Sequence, residues 1–199
     1  MARPTHIRDE DLITAAREVF LSNGLSATSA QVAERAGVSE GTLFKRFGTK
    51  LELFRAAMAP QLEESASKWV ERLELAATAP SVDMRGELVQ ACRSCVAFFE
   101  HLLPLMMMSW SNQGSCGLPD TLSGDNPPPV RLLRRLTAAY SRLMTTGKLR
   151  VADPEMAARM LLSGCQSYVF FSMLRAQSAS LDFYVEQLVD FMWSGLRPN

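Results

Sequence analysis

The chain has 199 residues, 21 Lys plus Arg set against 21 Asp plus Glu, a sequence pI near 6.7 and 47% hydrophobic residues. A chain of this length buries about 70% of its unfolded surface without disulfide staples, and the composition excludes disordered, collagenous and membrane-embedded classes. Zero net charge excludes a uniformly basic nucleic-acid binder but not a local basic patch, because charge is felt only within about 8–10 Å in salt.

Residues 1–11 carry no apolar stretch, which predicts no secretory signal and a reducing, cytoplasmic setting. The longest apolar stretches, 98–110 and 168–174, are interrupted by Glu100, His101 and Pro104 or end at Arg175. Both fall short of the roughly 18 residues that span a bilayer, so no membrane partner is expected. Apolar residues recur every three or four positions and no stretch alternates with period two, so the expected fold class is all-α.

Asp9, Glu10 and Asp11 suit a helix start, where free N–H groups favour negative charge. Leu12, Ile13, Ala16, Val19 and Phe20 form the apolar face of this first helix, and Gly24 can stop it. Thr28-Ser29-Ala30-Gln31 has capping-box spacing and opens a second helix whose Val32, Ala33 and Ala36 point inward. Gly37 supplies the positive φ that ends it, and Ser39 caps a third helix over about 40–47. Two short helices joined through Gly37-Val38-Ser39, with small Ala33 at the crossing, describe a helix-turn-helix. Leu43, Phe47 and the stem of Arg46 hold the third helix down, leaving Gly41, Thr42, Phe44 and Lys45 outward.

An outward Phe44 is unusual on a solvated face, and Gly41 costs about 1 kcal/mol in a helix interior. Both suit the close approach of another surface, and a helix fits the major groove of duplex DNA. Thr49-Lys50-Leu51-Glu52 is a second capping box, opening a fourth helix with Leu51, Leu53, Phe54, Ala57 and Met58 as its stripe. Its N-terminus, bearing Lys50, is suited to a phosphate.

Beyond Pro60, read as the first residue of a new helical turn, helices are expected over 61–77, 84–101, 105–111, 130–146, 154–175 and 181–196. Residues 113–129, rich in Pro and Gly, read as one long loop. Arg131, Arg134 and Arg135 read as a solvated helix face. Asp153 caps, and Pro154 opens, the penultimate helix. The expected division is 1–50 and 51–199.

The run from Thr28 to Lys50, TSAQVAERAGVSEGTLFKRFGTK, resembles the DNA-binding signature of the tetracycline-repressor (TetR) family, and the similarity covers roughly residues 11–58. The resemblance implies a homodimeric transcriptional regulator, usually a repressor, released from a palindromic double-stranded DNA operator when a small molecule binds the C-terminal domain. It implies that Thr28, Ser29 and Lys50 contact phosphate and that Gly41, Thr42, Phe44 and Lys45 lie in the major groove, with Ser39 and Arg46 beside them. Phe44 departs from the usual Tyr and loses that hydroxyl's bond to phosphate, about 0.5–1.5 kcal/mol.

In the larger part, Phe98, Leu102, Met106, Met107 and Trp110, with Phe170 and Phe171, are the expected lining of a pocket for an apolar or aromatic effector, because Met adapts to irregular shapes. Glu100 and His101 could supply polarity. The last two helices carry two apolar stripes, Met156, Met160, Leu161, Cys165, Tyr168, Val169 and Phe171 on one helix and Phe183, Leu188, Phe191 and Met192 on the other. One face can pack on the chain itself and the other on a symmetry mate, so Met160, Tyr168, Phe183, Leu188 and Phe191 are the expected dimer contacts.

Cys92-Arg93-Ser94-Cys95 is a C-x-x-C, read as small buried hydrophobes, with a redox switch as the alternative and no second pair to complete a metal site. Catalytic and cofactor motifs such as HExxH, GxSxG, a P-loop or GxGxxG are absent, so no enzyme and no cofactor is expected. A helical protein-interaction module without DNA binding is the remaining alternative.

Overall fold

A computed structural model describes residues 7–23, 26–111, 128–176 and 179–198, apart from the side chains of 59–65, 67, 105, 108–111 and 128. Among these residues the elements are eight helices: α1 Asp9–Asn23, α2 Ser29–Ala36, α3 Glu40–Phe47, α4 Lys50–Ala76, α5 Met84–Ser111, α6 Pro128–Thr145, α7 Pro154–Met173 and α8 Leu181–Leu196. The chain is all-α, and no described helix is long and apolar enough to cross a membrane. Two compact units form, Met1–Leu62 with Pro104–Cys116, and Glu63–Leu103 with Gly117–Asn199. The expected boundary at 50/51 falls at the first residue of α4, whereas the boundary between units falls inside that helix.

In the first unit, α1 packs on α2 and α2 on α3. Leu12, Ala16, Phe20, Val32, Leu43, Leu53 and Phe54 are buried, with the Phe20 and Phe54 rings 4.6 Å apart. Arg17 Nε donates to the carbonyl of Ala57 at 3.0 Å, fastening α1 to α4.

The second unit is built from the later part of α4, the earlier part of α5, and α6, α7 and α8. Asp153 accepts from the amides of Glu155 (2.8 Å) and Met156 (3.1 Å), as a cap with Pro at the first helical position should. Gly147 takes φ +71° to end α6, and Arg150 then bonds the carbonyls of Leu196 and Gly195, holding the end of α8.

The sequence reading breaks the chain at both prolines, and the structure corrects this. Helix α4 is continuous past Pro60 and α5 past Pro104. Each proline forfeits one helical hydrogen bond, at about 3 kcal/mol. Burial on both sides outweighs that cost: Leu53, Phe54, Ala57 and Met58 precede Pro60, and Trp69, Val70 and Leu73 follow it. The expected loop at 113–129 lies mostly outside the described residues, but α6 begins at Pro128, so Pro128 and Pro129 form its first turn.

Ion pairs stitch the second unit. Arg72 meets Glu87 at 2.5 and 3.0 Å, and Arg85 reaches both Glu186 and Asp190. Arg135 forks onto Glu74 at 3.0 and 2.9 Å, joining α6 to α4, so this arginine belongs to a helix contact rather than to a freely solvated face. The Arg135 hydrogen bonds hold the Glu74 carboxyl below its ordinary range, against the opposing effect of burial. Stability from this depressed carboxylate is present above the unfolded value near 4.3 and is lost as pH falls through the lower native value. Glu74→Gln is therefore expected to cost about 0.5–1 kcal/mol near neutrality, with the deficit vanishing in acid, as read by urea unfolding across pH.

Candidate nucleic-acid interface

Helix α2 starts where Thr28 Oγ1 accepts from the Gln31 amide (3.2 Å) and Gln31 Oε1 accepts from the Thr28 amide (2.9 Å), so both halves of the first capping box form. It ends at Gly37, φ +68° and ψ +31°, where the amide of Val38 reaches back to the Ala33 carbonyl at 2.9 Å. An added Cβ at Gly37 would meet nothing within 4 Å, so glycine is demanded there by backbone conformation and not by space. Ser39 Oγ then accepts from the Thr42 amide and lies 3.0 Å from Thr42 Oγ1. At Thr49 only half of the second capping box forms: Thr49 Oγ1 accepts from the Glu52 amide, while the Glu52 carboxylate pairs with Arg55.

These caps set α3 with Leu43 buried, Phe47 half-buried and the opposite side outward. Gly41, Phe44 and Lys45 are exposed and Thr42 is half-buried; Phe44 shows 41% of its surface. A Cβ at Gly41 would meet only Ser39 Oγ at 3.7 Å, an ordinary contact, so nothing within the fold requires a glycine there. Thr28 and Ser39 are exposed with their hydroxyls engaged as caps, Ser29 is half-buried at the start of α2, and Lys50 is half-buried as the first residue of α4.

Arg46 is exposed but tied to Asp9 of α1 by an ion pair. Its charge is therefore shared with a structural contact between α1 and α3. The two residues lie 37 positions apart, which no local pattern in the sequence connects.

The expected effector residues divide. Phe98 is buried, Leu102 and Met106 are half-buried, Met107 is exposed, and the Trp110 side chain lies outside the described residues. Glu100 is exposed and the His101 ring is bonded to the Ala97 carbonyl at 2.7 Å. Phe170 and Phe171 stand 42% and 49% exposed on α7.

The expected dimer residues also divide. Met160, Phe183 and Phe191 are exposed, Phe191 by 80%. Tyr168 and Leu188 are half-buried. The Tyr168 ring lies 4.7 Å from that of Tyr184, whose hydroxyl donates to the Gly164 carbonyl at 2.9 Å, and Leu188 sits so near Gly164 that an added Cβ would approach its methyl at 2.7 Å.

Each of the last two helices carries one buried and one exposed apolar stripe. On α7, Ala158, Leu161, Cys165 and Val169 are buried while Met156, Met160 and Phe171 are exposed; on α8, Val185, Val189, Met192 and Leu196 are buried while Phe183 and Phe191 are exposed. A shallow groove of about 190 Å³ runs between the two helices, lined by Met156, Met160 and Phe191 among others.

Cys92 and Cys95 are fully buried, as is Cys165. A hydrogen bond with Cys165, and then burial, raise the Cys92 thiol far above its ordinary range, which suppresses the reactive thiolate. A redox switch at this pair is not favoured.

The sequence profile for bacterial regulatory proteins of the tetR family matches residues 12–57, and the profile for the C-terminal domain of AefR-like transcriptional repressors matches residues 127–192. The HTH-type transcriptional activator FasR of Mycolicibacterium smegmatis is 32% identical over 99 residues, 49% of this chain and 43% of FasR. The HTH-type transcriptional regulator SrpR of Pseudomonas putida is 42% identical over 64 residues, 30% of each chain. The match thus spans less than half the length of either curated relative. Among solved structures, SmeT, the repressor of the Stenotrophomonas maltophilia multidrug efflux pump SmeDEF, has a TM-score of 0.58 at 20% identity over 96% of this chain and 91% of SmeT, a likeness of fold. SmeT is also solved as a complex with triclosan.

Because Gly37 is held left-handed with open space around it, Gly37→Val is expected to destabilise the fold by about 1–2 kcal/mol or more, while Gly37→Asn, whose side chain tolerates that conformation, costs little. Chemical denaturation of the two variants against the wild type checks this ordering.

Proposed function

The chain belongs to the TetR family of bacterial regulatory proteins, and from that premise we propose that it is a homodimeric transcriptional repressor. It grips a palindromic operator through α3 and releases it when a small, largely apolar molecule binds the helical C-terminal part. Residues 1–50 serve DNA and 51–199 serve effector and dimer, with Gly41, Thr42, Phe44 and Lys45 in the major groove and Thr28, Ser29 and Lys50 on phosphate. It acts in the cytoplasm, where its operator is.

The observation that carries this reading is the outward face of α3, where an exposed Phe44 and Lys45 flank a Gly41 that the fold itself does not need. A single short helix reads only a few base pairs, so duplication by a two-fold axis is needed for a selective site. The exposed Met156, Met160, Phe171, Phe183 and Phe191 of α7 and α8 supply apolar surface for that second copy. Burying one such side chain is worth about 1.5–3 kcal/mol. SmeT and SrpR are named repressor and regulator, FasR an activator, so the direction of control is decided by a reporter carrying the operator.

The test begins with an operator selected by the full-length protein from a random duplex pool; failure to enrich any palindrome overturns the reading. With that operator, Lys50→Ala is expected to weaken binding to all duplexes alike and to lower the salt slope by about one unit per protomer. Lys45→Ala is expected instead to change base preference in a second selection. Phe191→Glu is expected to shift the protein toward monomer in sedimentation and to weaken operator binding, because a charge cannot be buried unpaired in an apolar interface.

A further inference from the structure

Tyr140, on α6, is completely buried, yet among the described residues its hydroxyl has no hydrogen-bond partner. Trp69, on α4, is 3% exposed, and its indole N–H likewise has no partner among the described residues. Both polar atoms are shut off from bulk solvent. A buried donor left unpaired costs the fold its full desolvation. Phenylalanine would fill the position of Tyr140 without that cost, so its hydroxyl stands out among the aliphatic side chains and thiols around it.

Leu136, Tyr140 and Leu143 follow one face of α6 at spacings of four and three, and all are fully buried. Cys92 and Cys95 of α5 and Cys165 of α7 belong to the same interior; burial first, and then these thiols, raise the Tyr140 phenol. The Cys165 thiol is directed to the Cys92 carbonyl at 3.6 Å. Soft, polarisable walls therefore surround one unused O–H donor, and no described carboxylate or cation pairs with it. A charged ligand would be buried there without a counter-ion, at a heavy penalty.

We propose that Tyr140 is the polar anchor of an effector subsite between α5, α6 and α7, taking a neutral, apolar molecule that presents a hydrogen-bond-accepting oxygen, such as a ketone, ester or lactone carbonyl. Trp69 offers a second donor in the same helical unit. The assignment rests on the small-molecule response proposed above and gives that site its chemistry and its residue. Because the space at Tyr140 is closed, the ligand must part these helices to reach the hydroxyl, and the bond it then makes is one the unliganded fold lacks.

The test uses the full-length protein and a matched pair of probes, benzophenone and diphenylmethane, which differ in a carbonyl replacing a methylene. Calorimetric titration of the wild type is expected to show benzophenone bound at least tenfold more tightly. Tyr140→Phe is expected to bring the two probes to equal affinity while melting at the wild-type temperature or above it, since the change removes only an unpaired hydroxyl. The proposal is overturned if the wild type binds neither probe or both equally, if Tyr140→Phe keeps the preference, or if that variant melts lower without probe, which would show the hydroxyl already satisfied within the fold. Salt-dependent operator binding by the wild type is measured alongside. Where it persists and the probe preference fails, only the subsite falls; where no operator is bound, the regulatory reading falls with it.

Discussion

Gly37 turns the chain between α2 and α3 in a left-handed conformation, and that one backbone state decides which side of α3 meets the interior. With it, Leu43 falls onto the core beside Val32 and Ala33, and Phe44 and Lys45 are carried outward. The hydroxyl caps at Thr28 and Ser39 start the two helices on either side of the turn, so their angle is held by hydrogen bonds at three consecutive points rather than by bulk. A helix of eight residues has little intrinsic stability. Its outward residues can be presented rigidly only because its inward residue, its caps and its ion pair through Arg46 are all committed to the fold.

The second unit solves a different problem. Helices α7 and α8 spend one stripe each on their own core and leave another exposed, with Phe191 and Phe183 standing largely in solvent. Exposed apolar side chains grouped in this way suit an interaction face. A second copy would cover it symmetrically, and the same two-fold axis would then relate two α3 helices. Dimerisation and palindrome recognition are on this view one geometric requirement.

The interior holds two sorts of polar group. Carboxylates such as Glu74 and Glu87 are matched by guanidinium forks near the surface, where pairing is cheap and water helps. Tyr140 and Trp69 are deeper, and their polar atoms are unmatched among the described residues. The Nε atoms of Arg55 and Arg93 are also buried without a described acceptor, but those guanidinium groups pair elsewhere, with Glu52 and Asp182, whereas the Tyr140 hydroxyl has no described partner at all.

Local chemistry alone determined much of this protein. Capping residues, the left-handed glycine and three-to-four periodicity act within a few positions, so the boundaries of α2 and α3 and the outward place of Phe44 and Lys45 were legible in the residues themselves. Tertiary packing decided the rest. Whether Pro60 and Pro104 break a helix depends on apolar burial on either side, not on the prolines. Which of two apolar stripes on α7 faces inward depends on the helix packed against it, because periodicity gives a stripe's spacing but not its direction. The pairing of Arg46 with Asp9 and the isolation of the Tyr140 hydroxyl are likewise meetings, or failures to meet, between residues distant along the chain, and only three-dimensional proximity can settle them.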